Sequence, residues 1–336
     1  MNLLSQLKQF TTVVADTGDF ESIERYKPQD ATTNPSLILA AAKNEDYRSV
    51  ISDVIATALN KQGSANAADL SVTDLVDDLF VAFGCKILKV IPGRVSTEVD
   101  ARLSFDSKKT VERAHSIMAK YHEHGVSADR ILIKIASTWE GIEACRVLES
   151  EGIHCNMTLM FGLHQAVACA DAGATLISPF VGRILDWHKK NSGKAEYAAT
   201  EDPGVLSVQE IYYFYKQAAI QTEVMGASFR NLGEILELAG CDLLTIAPKF
   251  LDELQSQMTT QDGGKLSAVL TEQKARSMAL LDISDTATQI ERPLTKAQYD
   301  TLHQQNQMAS DKLAEGIQSF SEASEALEAL ISEMLL

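Results

Sequence analysis

The strongest constraint on the fold is an alternation, along most of the chain, of short β-branched runs with longer amphipathic stretches. Eight of the short runs have the length and composition of buried strands. They are Thr11–Ala15, Ala31–Asn34, Ile87–Ile91, Ile131–Ala136, Cys155–Met160, Thr175–Ser178, Glu223–Ala227 and Leu243–Ala247. Because strands that alternate with helices form parallel sheets, the pattern predicts an α/β fold.

Residues at the ends of these runs support that division. The helices predicted between the strands are Ser36–Leu59, Leu70–Phe83, Phe105–His124, Glu140–Glu151, Leu163–Asp171, Ser207–Ala218 and Leu232–Ala239. Ser207 and Glu210 have the spacing of a capping box, which predicts a helix start there. The glycines expected to end helices in a left-handed conformation are Gly125, Gly152, Gly173 and Gly240. The prolines expected to end strands are Pro35, Pro92, Pro179 and Pro248.

Eight successive β→α units are typical of a closed (β/α)8 barrel, also called a TIM barrel. A doubly wound open sheet is the alternative that the same pattern allows. The alternation stops after Leu254, where residues 258–300 are polar and mixed, and Lys312–Leu335 then has the pattern of an amphipathic helix. We therefore predict a single domain, residues 1–336, in which residues 258–336 form a polar excursion and a terminal helix packed on the barrel.

Charge and composition restrict the possible partners. The chain has 30 Lys and Arg against 46 Asp and Glu, a net charge of −16, which opposes general binding of nucleic acid. An anionic substrate would therefore need a few focused cations. No apolar run is long enough to span a membrane, and no signal peptide is recognised. The five scattered cysteines are typical of reduced thiols in the cytoplasm.

Lys134 is the first candidate catalytic residue. In Ile131–Ala136, alternation places three isoleucines on one face and Lys134 on the other, inside the barrel. Burial among apolar neighbours favours the neutral amine, which is the form that attacks a carbonyl to make a Schiff base. The alternative is a lysine that stabilises the fold by pairing with a buried carboxylate.

Polar side chains recur near the carboxyl ends of several other predicted strands, where barrel enzymes place their active sites. They are Asp16, Asn34, Asn156, Thr158, Ser178 and Ser228. Each alone could be a helix cap, because these residue types are favoured there. Their convergence near one lysine instead favours a polar site.

Three charged residues extend this candidate site. Glu98 could exchange protons with an imine through a water molecule, although it could equally lie in the first turn of a helix or pair with Arg94 or Arg102. Arg183 and Arg230 follow adjacent strands and, with a hydroxyl group and backbone amides, suit a phosphate monoester. Each arginine alone could be a surface residue.

Several familiar motifs are absent from the sequence. It has no G-x-G-x-x-G, no Walker A motif and no G-x-S-x-G, so it offers no support for nucleotide binding or for a hydrolase nucleophile. His122 and His124 are two apart on a predicted helix and do not share a face. No other His and Cys set has ligand spacing, so we predict no metal.

Six segments resemble signature stretches of the transaldolase family, and the resemblance runs from about Leu7 to Ile317. They are residues 13–18 (VVADTG), 30–38 (DATTNPSLI), 91–102 (IPGRVSTEVDAR), 131–141 (ILIKIASTWEG), 177–187 (ISPFVGRILDW) and 225–235 (MGASFRNLGEI). The resemblance is to the large, dimeric branch, so it implies a cytoplasmic homodimer with a TIM barrel.

The resemblance also implies a reaction of the pentose phosphate pathway. A dihydroxyacetone unit would move from sedoheptulose 7-phosphate to glyceraldehyde 3-phosphate, giving erythrose 4-phosphate and fructose 6-phosphate. Lys134 would form the Schiff base, Glu98 would act with a water held by Thr158, and Asp16 would transfer a proton at the cleaved bond. The residues implied for substrate binding are Asn34, Asn156, Ser178, Arg183, Ser228 and Arg230. The protonated imine is itself an electron sink, so no cofactor is expected.

Two other functions remain open at this point. An aldolase would release free dihydroxyacetone to solvent, and the choice of Glu98 rather than a tyrosine as the acid/base candidate favours transfer instead. The second alternative is a catalytically idle barrel kept as a binding protein. The joint presence of Lys134, Glu98 and Asp16 argues against that alternative.

Overall fold

The computed structural model describes residues 1–63 and 70–335 and contains a closed barrel of parallel strands. The strands are β1 (Thr12–Asp16), β2 (Asp30–Thr32), β3 (Val95–Glu98), β4 (Ile131–Ala136), β5 (Cys155–Met160), β6 (Leu176–Pro179), β7 (Glu223–Gly226) and β8 (Leu243–Ile246). Each strand pairs in parallel with its neighbours in sequence, and β8 pairs with β1 to close the barrel. The predicted (β/α)8 fold is therefore confirmed, and the open sheet is excluded.

Helices lie between the strands and continue after the last one. The first nine are α1 (Leu3–Leu7), α2 (Phe20–Tyr26), α3 (Pro35–Ala42), α4 (Arg48–Gln62), α5 (Val72–Ile87), α6 (Ser107–Glu123), α7 (Trp139–Ser150), α8 (Leu163–Asp171) and α9 (Gly182–Ser192). The rest are α10 (Pro203–Gln217), α11 (Leu232–Glu237), α12 (Pro248–Ser256), α13 (Glu272–Ser277), α14 (Leu280–Ile283), α15 (Asp285–Gln289), α16 (Lys296–Gln305) and α17 (Gln307–Met334). Short 3-10 turns lie at Glu45–Tyr47, Ala101–Leu103, Ala128–Arg130 and Ala199–Glu201.

The third strand is not where the sequence pattern placed it. Residues 87–91 form the end of α5 and a turn, in which the amide N–H of Ile91 donates to the carbonyl of Ile87 at 3.1 Å. The true β3, Val95–Glu98, is mostly polar yet fully buried, because tertiary partners satisfy its side chains. The hydroxyl groups of Thr97 and Tyr121, for example, lie 2.6 Å apart. Pro92 consequently precedes the strand and does not end it.

Two predicted helix boundaries are also wrong. Ser207 lies inside α10, which begins at Pro203 and is capped by the side chain of Asp202. The capping-box spacing at Ser207 is therefore coincidental. The long helix predicted over Ser36–Leu59 is divided into α3 and α4 by the 3-10 turn at Glu45–Tyr47.

The four glycines predicted to end helices have positive φ angles. The values are 72° at Gly125, 80° at Gly152, 80° at Gly173 and 101° at Gly240. At Gly240 a side chain is also excluded by space, because a Cβ would lie 2.1 Å from the carbonyl oxygen of Leu270. This part of the helix-to-strand pattern is confirmed.

The barrel is packed on both faces of its strands. Ile131, Ile133 and Ile135 of β4 belong to the core between the barrel and its helices, whereas Leu132 faces the barrel interior. With Leu132, the apolar floor of the interior is formed by Val14, Leu176, Met225 and Leu243. Lys134 lies one alternation beyond Leu132 on the same face, above this floor, as predicted.

Residues beyond β8 continue around the outside of the barrel, where Leu266 hydrogen-bonds to Gln6 of α1 and α13 packs on α10. The excursion contains α13, α14, α15 and α16, and α17 then contacts α3, α5 and β5. The approach of α17 depends on Gly316, where a Cβ would lie 2.6 Å from a side-chain carbon of Leu159. The predicted C-terminal helix is confirmed. No helix in residues 1–63 or 70–335 combines the length and the apolar stretch needed to cross a bilayer.

A pair of histidines connects the excursion to the barrel helices. Nε2 of His164, at the start of α8, lies 3.0 Å from Nδ1 of His303 in α16. Tyr299 stacks on His303, with the two ring centroids 5.8 Å apart. Burial, together with His303, lowers the pKa of His164 to about 3. Both imidazoles are therefore neutral in the folded protein near pH 7.

This histidine pair predicts a loss of stability in mild acid. The pKa of His164 is about 3 in the folded protein, against about 6.5 in the unfolded chain. Its contribution is thus fully present above pH 6.5 and decreases as the pH falls toward 3. The free energy of unfolding should drop by about 1.4 kcal/mol per pH unit in that window. Urea unfolding at pH 7 and pH 5 should show a fall about 2 kcal/mol larger for the wild type than for His164→Gln. Equal falls in the two proteins would contradict this assignment.

Candidate active site

Lys134 lies at the bottom of a cavity in the carboxyl half of the barrel. The cavity has a volume of about 160 Å³ and is lined by Lys134 among other residues. The Lys134 side chain is only 5% exposed, and its Nζ donates to the carbonyl oxygen of Thr33 at 3.1 Å. Its Nζ is also 2.9 Å from Oε2 of Glu98. The lysine is thus paired with a buried carboxylate and also has space beside it for a ligand.

Glu98 is held beside Lys134 by the pairing of two strands. The two residues are direct partners in the β3–β4 register. This position excludes the alternatives considered for Glu98, because Arg94 pairs with Asp30 and Glu223, and Arg102 pairs with Asp100 and Glu328. Oε2 of Glu98 is buried and, although close to Lys134, makes no aligned hydrogen bond. Burial raises the pKa of the Glu98 carboxyl, and the Lys134 ammonium opposes that rise.

Asp16 ends β1 and lies on the opposite side of the cavity from β5. Its Oδ1 accepts a hydrogen bond of 2.9 Å from the hydroxyl of Thr32, which is itself 2.6 Å from the hydroxyl of Thr245. Burial raises the pKa of the Asp16 carboxyl, while Lys134 and the Thr32 hydrogen bond oppose the rise. Burial is the larger effect, so the net result is a raised pKa for Asp16.

A chain of hydrogen bonds orders the wall formed by β3, β5 and β6. Nδ2 of Asn156 donates to the hydroxyl of Ser96 at 3.0 Å, and the hydroxyl of Ser178 donates to Oδ1 of Asn156 at 2.6 Å. Asn156 is the register partner of Lys134, so this chain lies directly beside the amine. Thr158 is fully buried in the same strand, and its hydroxyl has no hydrogen-bond partner within the described residues.

Asn34 combines the two roles considered for it from the sequence. It follows β2 and caps α3, because its Oδ1 accepts from the backbone N–H of Leu37 at 2.9 Å. It also lines the cavity. Asn34 can therefore cap α3 and belong to the site at the same time.

Arg183 is a cation without a carboxylate partner. No hydrogen bond or ion pair involves its guanidinium in residues 1–63 and 70–335, although it lines the cavity. The guanidinium lies 5.0 Å from the ring centroid of Phe180 and 5.4 Å from that of Phe320. Burial and the neighbouring Arg230 lower the pKa of Arg183. An unpaired, partly buried guanidinium is a suitable binding group for an anion.

Arg230 lies next to this site but, unlike Arg183, is paired with a carboxylate. Its Nε and Nη2 donate to Asp186 at 3.0 and 2.8 Å, while Nη1 is 3.4 Å from the hydroxyl of Ser228. Arg230 is exposed, and Asp186 partly neutralises it. Ser228 lines the cavity, with a φ of 61°.

The structure brings most of the predicted residues to one place. Seven of the ten line the cavity, and these are Asp16, Asn34, Lys134, Thr158, Ser178, Arg183 and Ser228. The other three are Glu98, Asn156 and Arg230, and each contacts a lining residue, namely Lys134, Ser178 and Ser228 respectively.

Sequence reasoning missed several residues of the cavity. Those not assigned to the site are Thr32, Phe180, Ala227, Thr245 and Phe320. Thr245 had a usable signal, since a polar residue in the middle of an apolar strand is unusual. Phe320 had none, because nothing in an amphipathic helix indicates which apolar residue will reach a distant site.

One group of side chains in the described residues has the composition of a metal site, and the spacing argument did not find it. Ligand atoms of Cys145, Glu149 and Cys155 lie within 4.8 Å of one another. The Glu149 carboxylate, however, accepts from the backbone N–H groups of Cys155 and Thr175 at 2.8 and 2.7 Å. These bonds connect the starts of β5 and β6 to α7 and account for the partly buried carboxylate.

Comparison with known proteins agrees with this geometry. Residues 13–331 match the family described as transaldolase/fructose-6-phosphate aldolase. A transaldolase of Methylococcus capsulatus is 55% identical over 99% of this chain and 97% of its own length. A transaldolase of Thermosynechococcus vestitus is 56% identical over 100% of this chain and 82% of its own. One of Nostoc sp. is 54% identical over 99% and 96%. The chain thus belongs to the transaldolase/fructose-6-phosphate aldolase family.

Proposed function

We propose that the protein is a transaldolase in which Lys134 carries the dihydroxyacetone unit as a Schiff base. The observation that carries the proposal is a buried amine beside a cavity, with the carboxyl groups of Glu98 and Asp16 near it and an unpaired guanidinium in the cavity lining. The reaction is the transfer from sedoheptulose 7-phosphate to glyceraldehyde 3-phosphate in the pentose phosphate pathway, as the family resemblance implies.

Schiff-base formation requires that Lys134 lose a proton and that the ketone oxygen leave as water. Glu98 is the acceptor best placed for the first proton, at 2.9 Å from Nζ. Its elevated pKa suits a group that must both take and return protons. The unpartnered hydroxyl of Thr158 is available to a water molecule that would relay protons between Glu98 and the substrate.

Cleavage then breaks the C3–C4 bond of the ketose. The Asp16 carboxylate would take the proton of the C4 hydroxyl, the aldehyde would leave, and the electron pair of the broken bond would move to the protonated imine. The enamine that results waits for the acceptor aldehyde, and the same steps run in reverse. Asn34, Asn156 and Ser178 would hold the hydroxyl groups of the bound unit, since they supply amide and hydroxyl groups near Lys134.

The phosphate group of the substrates would bind at Arg183, Ser228 and Arg230. Arg183→Ala should raise the KM for fructose 6-phosphate by the equivalent of about 2–3 kcal/mol, because a partly buried charge pair is lost. Arg230→Ala should cost less, since Arg230 is exposed and is shared with Asp186. Steady-state kinetics with fructose 6-phosphate and with unphosphorylated fructose would measure both effects. Arg146→Ala, on α7, is the matched control. Equal losses on the two sugars would contradict phosphate binding.

An aldolase that releases dihydroxyacetone is the second candidate, and it belongs to the same family by name. Transfer is favoured because Glu98 is the carboxyl group beside the amine and no tyrosine is among the described residues that line the cavity. The deciding experiment supplies fructose 6-phosphate with and without erythrose 4-phosphate. A transaldolase forms sedoheptulose 7-phosphate only with the acceptor and releases little free dihydroxyacetone without it. Steady release without an acceptor would establish the aldolase.

We also propose that the protein acts as a cytoplasmic homodimer whose chain, residues 1–336, folds as one domain. The five free cysteines suit a reducing compartment, and the contacts of α17 with α3, α5 and β5 suit one cooperative unit. Light scattering should give twice the chain mass of 36.7 kDa, and thermal unfolding should show one transition. A monomer at micromolar concentration would contradict the proposed dimer, and two separate unfolding transitions would contradict the single domain.

A further inference from the structure

Phe320 is the part of the cavity wall that comes from farthest away in the chain. It lies in the middle of α17, is 2% exposed and lines the cavity with residues from the strand ends. Its ring centroid is 5.4 Å from the Arg183 guanidinium and 5.7 Å from Nζ of Lys134. One ring of the terminal helix thus lies close to both Lys134 and Arg183.

The position of this ring is set by the packing of α17. Gly316 lies one helical turn earlier and packs closely against Leu159. A Cβ at position 316 would lie 2.6 Å from the Leu159 side chain and 3.3 Å from Nη1 of Arg183. Phe320 itself packs in an apolar cluster with Leu159, Phe161, Phe180 and Leu313. The packing of α17 on the barrel therefore holds the ring against Arg183.

Arg183 has little else to orient it. Within the described parts of the chain it makes no ion pair or hydrogen bond, and its guanidinium lies over the rings of Phe180 and Phe320. An aromatic face attracts a guanidinium without neutralising it, whereas a carboxylate in the same place would repel a phosphate. Arg230, by contrast, is oriented by an ion pair with the Asp186 carboxylate.

We propose that Phe320 is a positioning residue that, with Phe180, holds the Arg183 guanidinium ready for the phosphate group of the sugar. The proposal rests on the phosphate-binding function assigned above to Arg183. It makes the terminal helix a determinant of substrate specificity as well as a cover for the barrel. Phe320 acts through Arg183, so its loss should weaken the use of substrates with a phosphate more than the use of those without one.

The test compares Phe320→Leu, which keeps an apolar side chain but removes the ring, with Phe320→Tyr, which keeps the ring. The leucine variant should raise the KM for fructose 6-phosphate about five- to thirtyfold, the equivalent of a partly desolvated cation–π contact. Because Phe320 also lines the cavity, activity on unphosphorylated fructose should fall too, but by a smaller factor, so the kcat/KM preference for fructose 6-phosphate should decrease. The tyrosine variant should restore most of the affinity. Inorganic phosphate, used as a competitive inhibitor, should bind the leucine variant more weakly by the same factor.

Leu327→Val is the matched control, because Leu327 is buried in the same helix but packs in a different cluster, against α3 and α5. It should leave the preference for the phosphorylated sugar unchanged. If Phe320→Leu does not fold, as judged by thermal unfolding, the same kinetics on Phe320→Met decide the question. Equal losses on both sugars, or an unchanged KM for fructose 6-phosphate, would overturn the proposal. If Arg183→Ala also leaves the preference for the phosphorylated sugar intact, the proposed phosphate site is wrong. If Arg183→Ala reduces that preference and Phe320→Leu does not, only the function proposed for Phe320 is wrong.

Discussion

Lys134→Met should abolish both turnover and covalent trapping. The substitution keeps an unbranched side chain of similar length but removes the only amine that lines the cavity among the described residues. Without it no imine forms, so kcat should fall by about 10⁴-fold or more, the range seen when a nucleophile is removed. In the wild type, borohydride with fructose 6-phosphate should leave a reduced adduct on the peptide that contains Lys134.

The control for this experiment is Lys89. The strand pattern had placed Lys89 in the barrel, but it is exposed in the turn after α5. Lys89→Met should therefore keep full activity and full trapping. An adduct on Lys89, or undiminished trapping in Lys134→Met, would overturn the assignment of the nucleophile. Circular dichroism and thermal unfolding should show that Lys134→Met is folded, because Glu98 can be neutralised by protonation, a change that burial already favours.

Glu98→Gln should give the second largest loss. Glutamine has nearly the same shape but cannot accept the proton that Lys134 must release, so kcat should fall by about 10²–10⁴-fold. Because burial raises the pKa of Glu98, the acid limb of the wild-type profile of kcat/KM should lie above the ordinary range of a glutamic acid. That limb reports loss of the carboxylate form as the pH falls. It should be absent from the residual activity of Glu98→Gln.

Asp16→Asn is the comparison that separates the two carboxyl groups. If Asp16 acts only when the C–C bond breaks, Asp16→Asn should still form the imine, and borohydride should trap the whole sugar of fructose 6-phosphate on Lys134. The wild type should instead accumulate the shorter dihydroxyacetone adduct, and Glu98→Gln should be trapped slowly. Mass spectrometry distinguishes these adducts. A dihydroxyacetone adduct formed at the normal rate in Asp16→Asn would exclude its proposed part in cleavage.

The order of strands and helices could be predicted because local pattern carries it. Ile131–Ala136 alternates with period two, and the same bounds occur in the structure. Gly125 and Gly240 have the positive φ angles that their places after helices predicted. The third strand could not be predicted in this way, because its side chains are polar. Ser96, Thr97 and Glu98 are buried only because Asn156, Tyr121 and Lys134 on other elements contact them.

The residues from strand ends could also be proposed in advance, since parallel strands bring their carboxyl ends together. Their pairings could not. Pattern allowed Glu98 to pair with Arg94 or Arg102, and only the β3–β4 register places it beside Lys134. Likewise, pattern treated Arg183 and Arg230 alike, whereas the structure leaves Arg183 between two rings and pairs Arg230 with Asp186.

The sequence by itself therefore determined the barrel, the lysine that points into it and the kinds of side chain at its rim, because strand periodicity and helix ends depend on residues close together in the chain. Tertiary structure alone decided which carboxylate meets Lys134, which arginine stays unpaired and that Phe320 enters the site. Those contacts join residues far apart in sequence, and their geometry depends on strand register and on how closely α17 can approach the barrel at Gly316.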